Sequence, residues 1–102
     1  MRAILINPFD GTVTETEYSG ELKDIYRLTQ CGIVEVARAD IGTHTLYVDE
    51  EGLFKKDQKF FAIDGARQPY AGRGLIVGYD NGDDSAATIS LDEVKDKVRF
   101  QP

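Results

Sequence analysis

The sequence predicts an α+β fold in which a mainly antiparallel, bent β-sheet packs against one main helix, with a short C-terminal helix as a second cover. Short apolar runs recur between turn residues, which is typical of strands joined by hairpins. Only residues 20–30 and the segment after residue 90 have apolar side chains at helical spacing. Because 102 residues suffice for one modest core, we expect residues 1–102 to form a single α+β domain.

The chain begins with a predicted β-hairpin. The apolar run Ala3–Ile6 stops at Asn7 and predicts an interior strand, covered on both faces and placed at the centre of the sheet. Turn residues Pro8–Gly11 lead into Thr12–Tyr18, where Thr and Glu alternate. One face of this second strand is polar, so we expect it at an edge of the sheet.

The main helix is predicted over Gly20–Gln30. The side chains at helical spacing are Leu22, Ile25, Tyr26 and Thr29. Ser19 precedes this segment, and Gly32 stands where a left-handed C-terminal cap is expected.

The remaining apolar runs predict further strands and a closing helix. The predicted strands are Ile33–Arg38, Thr45–Val48, Phe60–Ile63 and Leu75–Val77. Residues 49–52 form a predicted tight turn into Leu53 and Phe54, which together with the preceding strands indicates a meander, and Asn81–Ser85 is predicted to be a polar loop. The last helix covers Ser90–Phe100, with Glu93 placed for a capping box and an apolar stripe formed by Leu91, Val94 and Val98.

Composition excludes several classes of function. A net charge of −6 disfavours binding to nucleic acid phosphates. Cys31, the single cysteine, cannot form an internal disulfide, and together with the single histidine, His44, it cannot supply a structural zinc site. The N-terminal apolar run is too short for a signal peptide or a membrane span. We therefore expect a cytoplasmic protein without metal, cofactor or membrane partner.

No catalytic residues are predicted. His44 has no neighbouring base or nucleophile in sequence, and it is expected to be a surface or hydrogen-bonded structural histidine. Cys31 is expected to be a small buried residue. The glycine-rich run Gly72–Gly78 precedes a strand instead of a helix, so a turn or bulge is favoured over a nucleotide-binding loop. The acidic segments 49–52 and 80–84 are expected to be turns.

The predicted binding site is the loop between Phe60–Ile63 and Leu75–Val77. It concentrates two arginines and an aromatic residue in an acidic chain, and its polar set is Arg67, Gln68, Tyr70 and Arg73. Arginine and tyrosine are enriched where proteins recognise partners or anionic ligands. The alternative is that both arginines pair with local acidic groups while the tyrosine covers the edge of the core.

Several segments together resemble a family of small, functionally uncharacterised proteins encoded by bacteriophages and prophages. The segments are Met1–Phe9, Asp24–Tyr26, Leu46–Leu53, Phe60–Ile63, Gln68-Pro69, Ala71–Gly78 and Ser90–Phe100. The resemblance implies a phage accessory protein that acts in the host bacterial cytoplasm by binding a host protein, such as a defence or regulatory factor, without catalysis.

A second class of function stays open. In it, the protein sequesters an anionic metabolite or signalling nucleotide, with Arg67 and Arg73 facing phosphates and Tyr70 or Tyr79 stacking on a base. The oligomeric state is a monomer or a homodimer, the latter formed by edge pairing of Thr12–Tyr18.

Overall fold

The computed structural model describes residues 1–100 and confirms the α+β class. The strands are β1 (Arg2–Asn7), β2 (Thr12–Glu17), β3 (Val34–Ala37), β4 (His44–Asp49), β5 (Phe60–Ile63), β6 (Tyr70–Ala71), β7 (Gly74–Asp80), β8 (Asp83–Ser85) and β9 (Val98–Phe100). The helices are α1 (Leu22–Thr29) and α2 (Leu91–Lys97), and a 3₁₀ turn covers Gly52–Phe54. Every strand pair described is antiparallel.

The strands divide between two sheets instead of forming one bent sheet. The main sheet has the order β2-β1-β7-β4-β3, with β8 paired to the far end of β7, and the small sheet has the order β6-β5-β9. β1 is interior, as its apolar run predicts, but the centre of the sheet is β7. β2 lies at one edge of the main sheet, which confirms its predicted position.

Two apolar cores lie on opposite faces of the main sheet. On one face α1 packs through Ile25 and Leu28 against Leu75 and Val77 of β7. The larger core contains alternate residues of β1, β4 and β7 together with the small sheet and α2; its members include Ile4, Ile6, Leu46, Val48, Phe61, Ile63, Ile76, Val94 and Val98. The fold therefore has three layers, with β7 buried between the other two.

Helix α1 is shorter than predicted at both ends. It begins after Glu21, whose side chain makes no capping hydrogen bond, and Asp24 instead accepts a hydrogen bond from the backbone N–H of Ser19 at 2.8 Å. Gln30, not Gly32, takes the left-handed position at the C-terminus, with φ 54°. Leu22 is 55% exposed, because the buried face of α1 consists of Ile25, Leu28 and Thr29.

Two other predicted segments differ in the structure. Leu53 and Phe54 do not continue a meander but lie on the exposed 3₁₀ turn. Asn81–Ser85 is not an open loop, because Asn81 and Gly82 form a tight turn with positive φ values of 51° and 86° that pairs β8 with β7.

The C-terminal helix is correctly capped but ends earlier than predicted. The side chain of Ser90 accepts a hydrogen bond from the backbone N–H of Glu93 at 3.1 Å, as the capping pattern predicts. Val98 leaves the helix and starts β9, which pairs with β5. No helix within residues 1–100 is both long and apolar enough to cross a membrane.

Candidate functional site

The predicted binding loop connects the two sheets. It leaves the small sheet after β5, returns briefly as β6 and enters the centre of the main sheet as β7. Gly65 and Gly72 have φ values of 90° and 87°, which favour glycine, and they produce the bends of this connection. The loop therefore changes direction twice between the two sheets.

The structure separates the four residues of the predicted site. Arg67 and Gln68 are exposed on the loop. Tyr70 is held in place, since its hydroxyl donates to the carbonyl oxygen of Arg38 at 2.7 Å and its ring lies 5.8 Å from that of Phe61. Arg73 lines a different cavity from Gln68, and Arg67 does not line the cavity of Arg73. A ligand held jointly by both arginines gains no support from this arrangement.

Residues of the loop line two depressions in the protein surface. The first is an apolar groove of about 270 Å³, called the groove below, and it is lined by Leu53, Phe60, Gln68 and Pro69. Leu53 is 68% exposed and the adjacent Phe54 is 87% exposed. Two neighbouring large apolar side chains with this much exposure are costly in water, and such patches mark sites of interaction.

The backbone beneath these side chains is anchored. The buried Gly52 lies so close to Ala71 that an added Cβ would be 2.6 Å from the Ala71 carbonyl oxygen. The side chain amide of Gln58 donates to the carbonyl oxygen of Gly52 at 2.8 Å. The 3₁₀ turn is thus fixed to the small sheet, and Leu53 and Phe54 project from it.

Basic side chains follow the 3₁₀ turn. Lys56, Lys59 and Arg67 are exposed, and none of them has an ion pair within residues 1–100. Between Gly52 and Phe60 there are three lysines and one aspartate, in a chain whose net charge is −6. The groove therefore lies next to a locally positive segment of an acidic protein.

The second surface is a small cavity of about 160 Å³ at the end of the main sheet, which we call the basic cavity. The aromatic, charged and amide side chains that line it include Phe9, Asp49, Lys55, Lys56, Gln58 and Arg73. The guanidinium carbon of Arg73 lies 4.6 Å from the centre of the Phe9 ring, a cation–π arrangement.

His44 has a structural environment, as predicted. Its Nδ1 lies 2.8 Å from the carbonyl oxygen of Ile41, and its Nε2 lies 3.0 Å and 3.1 Å from the backbone N–H groups of Thr88 and Ile89. Asp80 lines the same cavity of about 230 Å³, but both ring nitrogens of His44 are already engaged by backbone groups. This geometry favours a structural role over that of a general base.

The remaining polar candidates also hold structure together. Cys31 is half-buried and not fully buried as predicted, because it follows the C-terminus of α1; its Sγ lies 3.1 Å from the hydroxyl oxygen of Thr29. In the part of the chain that the structure describes, no group of three or more His, Cys, Asp or Glu side chains is arranged to hold a metal ion. Asp84 accepts hydrogen bonds from the hydroxyls of Tyr18 at 2.7 Å and Tyr47 at 2.9 Å, which ties β8 to the main sheet.

Sequence reasoning missed the apolar and basic neighbours of the loop. The sequence pattern places Leu53 and Phe54 after a turn in a meander, and it places the lysines at 55 and 56 in a polar connection. The signal available for them was a run of three lysines in five residues within an acidic chain. No comparable signal links Phe9 to Arg73, because that contact depends on the folded topology.

Almost the whole described chain matches one known protein family. A family model described as a domain of unknown function, DUF3846, matches residues 1–99. No curated protein and no solved structure matches the chain. Both the groove and the basic cavity lie inside the matched range, so both are parts of the family's domain.

Proposed function

The chain belongs to the DUF3846 family, and we propose that it is a non-catalytic binding domain that captures an acidic segment of a partner protein in the groove. The observation that carries this proposal is the exposure of Leu53 and Phe54, at 68% and 87%, on a turn whose backbone is anchored. Their burial by a partner would remove a large apolar area from water, which is the main favourable term in protein association.

The charge around the groove defines the chemistry of the partner. Lys59 and Arg67 have no ion pairs within residues 1–100 and would face carboxylates. Complementary charges accelerate association and select among partners. The partner segment that fits is one with an apolar side chain for the groove and acidic residues beside it.

The resemblance to bacteriophage and prophage proteins supports a host protein as the partner. A phage accessory protein of this kind would act in the host bacterial cytoplasm on a defence or regulatory factor. Of the predicted site residues, Gln68 lines the groove and Arg67 is its exposed neighbour in the chain, whereas Tyr70 stabilises the loop through its hydrogen bond to the carbonyl oxygen of Arg38.

The test compares the wild type with the double variant Leu53→Ser/Phe54→Ser. Both proteins are used as bait in host lysate, and any protein retained is identified, purified and titrated against each bait. We expect the double variant to bind at least about tenfold more weakly, because truncating apolar anchors of an interface costs on the order of 2 kcal/mol or more. Wild-type affinity should fall as salt rises, since the partner is acidic.

Leu22→Ser is the matched control, because Leu22 is 55% exposed on α1 and lies outside the groove. This variant should bind as the wild type does. Equal retention of the same partner by the wild type and the double variant would exclude the groove as the binding surface, as would an affinity that does not respond to salt.

A further inference from the structure

The basic cavity is distinct from the groove and has an excess of positive charge. Lys55, Lys56 and Arg73 line it together with one carboxylate, that of Asp49. The whole chain has 12 basic against 18 acidic side chains, so three cations around one small cavity reverse the overall balance. Such a concentration of one charge in a concave site raises the local concentration of the opposite ion.

One of the three cations is neutralised within the protein. Asp49 is only 8% exposed; it accepts a hydrogen bond from the backbone N–H of Glu51 at 2.9 Å and forms an ion pair with Lys55 at 2.5 Å. The carboxylate is thus fixed by the turn and in turn fixes Lys55. The charges of Lys56 and Arg73 are not matched by any ion pair within residues 1–100.

Arg73 is oriented without using its hydrogen-bond donors. Its guanidinium group lies against the ring of Phe9, and no hydrogen bond from it to residues 1–100 is present. The ring holds the guanidinium carbon at 4.6 Å from its centre, so the position of the group is set while its N–H donors remain without a partner within residues 1–100. The planar fork is therefore restricted before any ligand arrives, which lowers the entropy lost on binding.

We infer that the basic cavity binds a small ligand through a phosphate group, with Arg73 and Lys56 as the principal ligand contacts. Two uncompensated positive charges match a phosphate dianion better than a single carboxylate, and arginine and lysine are the residues that bind phosphate in proteins. The volume of about 160 Å³ lies below the roughly 300–1,000 Å³ of pockets for drug-sized ligands, so the ligand is free phosphate or a small phosphomonoester.

The experiment titrates the protein with inorganic phosphate, glycerol phosphate and acetate in separate arms, followed by amide NMR shifts. We expect saturable shifts at Gly72, Arg73 and the residues around Lys56 with at least one of the two phosphate compounds, and much weaker binding of acetate. Saturation by inorganic phosphate identifies free phosphate as sufficient, whereas saturation by glycerol phosphate alone identifies an ester. Equal affinity for acetate, or no saturable shift in either phosphate arm, would overturn the inference.

The variants separate a built site from general electrostatic attraction. Arg73→Gln should weaken phosphate binding about tenfold or more, because charge-assisted hydrogen bonds are lost. Arg67→Gln is the matched control: it removes the same charge from the same loop outside the cavity and should leave binding within about twofold. Lys56→Gln provides a second loss-of-binding variant that breaks no internal contact of Arg73. Equal effects of Arg67→Gln and Arg73→Gln would overturn the inference.

Discussion

At the scale of single residues, His44 connects three parts of the backbone through one ring. Because Ile41 offers a carbonyl oxygen, the hydrogen of the ring lies on Nδ1, and Nε2 is left as the acceptor for the N–H groups of Thr88 and Ile89. These groups belong to the segment between β8 and α2, which makes no strand pairing of its own. The His44 ring thus accepts the backbone hydrogen bonds that a neighbouring strand would otherwise accept from that segment.

His44→Ala is expected to lower the free energy of unfolding by about 1–3 kcal/mol, because the partly buried Ile89 N–H and the Ile41 carbonyl lose their partner. Urea denaturation followed by circular dichroism measures the change. Thr43→Ala alters an exposed neighbour and should shift stability by less than about 0.5 kcal/mol. If His44→Ala is as stable as Thr43→Ala, these hydrogen bonds have no net effect on folding.

Arg67 and Arg73 show which properties of a single residue can be predicted from the sequence and which cannot. The composition of the loop predicts a binding site there, because it concentrates two arginines and an aromatic residue in an acidic chain. What decides their roles is the environment of each residue. Phe9 lies on the turn between β1 and β2, and only the pairing of β1 with β7 brings it to Arg73. No local pattern contains that information.

At the scale of elements, one carboxylate of β8 links this strand to two further parts of the fold, in addition to its backbone pairing with β7. Asp84 of β8 accepts hydrogen bonds from the hydroxyls of Tyr18 and Tyr47, which reach it from the end of β2 and from β4. Burial, followed by the hydrogen bond to Asp84 and its negative charge, raises the pKa of Tyr47 to about 12. The pKa of Tyr18 is raised further. Burial is again the largest cause, followed by the hydrogen bond to Asp84 and the negative charge of Asp84, with smaller effects of Tyr47 and Asp24.

These raised pKa values predict a loss of stability at alkaline pH. Both hydroxyls have a higher pKa in the folded chain than the ordinary value of 10.0, so their stabilising contribution is complete below pH 10. The contribution is lost as pH rises from 10 through about 12, where the unfolded chain releases its protons first. Urea midpoints measured across this range should fall steeply.

Tyr47→Phe should be less stable than the wild type at neutral pH and should show a shallower alkaline decline, since one coupled hydroxyl is absent. Tyr79→Phe is the control, because Tyr79 is 52% exposed and, although its backbone pairs with Asp84 across the β7–β8 ladder, its hydroxyl makes no hydrogen bond to that carboxylate; its decline should follow that of the wild type. Parallel declines in the wild type and Tyr47→Phe would contradict the role assigned to the Asp84 cluster.

The sequence predicts the existence of most elements better than it predicts their ends. The apolar runs of β1, β4, β5 and β7 identify strands because their residues are buried on one or both faces. The hairpin of β8 carries a local signal as well, the dipeptide Asn81-Gly82, which is a strong indicator of a tight turn. Helix α1 ends at Gln30 despite the glycine two positions later, because a residue other than glycine can take the left-handed conformation when tertiary packing requires it.

At the scale of the whole molecule, the division into two sheets is the feature that the sequence does not specify locally. β1 pairs with β7 and β5 pairs with β9, so the partners are distant in the chain. The alternating burial of its residues indicates that β5 is a strand, but this pattern does not specify the strand with which β5 pairs. The separation shapes both proposed sites, because the loop that crosses between the sheets lines the groove through Gln68 and Pro69 and the basic cavity through Gly72 and Arg73.

The two sheets are nevertheless expected to unfold as one unit, because they share a core. Phe61 of β5 is fully buried, and its ring lies so close to Gly74 of β7 that an added Cβ there would be 2.7 Å from it. The same ring contributes to the core that contains Leu46 and Ile76 of the main sheet. A large side chain at position 74 would displace the ring, so glycine at this point permits the contact between sheets.

Phe61→Ala tests this coupling. Removal of a buried phenylalanine ring costs about 3–5 kcal/mol, a large part of the roughly 5–15 kcal/mol that stabilises a typical domain. The ring packs against residues of both sheets, so its loss should lower the free energy of opening equally in the two sheets. Amide hydrogen exchange should therefore become faster to the same extent in β1, β4 and β7 as in β5 and β9. Thermal unfolding should remain a single transition. Faster exchange confined to β5 and β9, with unchanged protection in β7, would show instead that the small sheet opens independently while the main sheet and α1 remain folded.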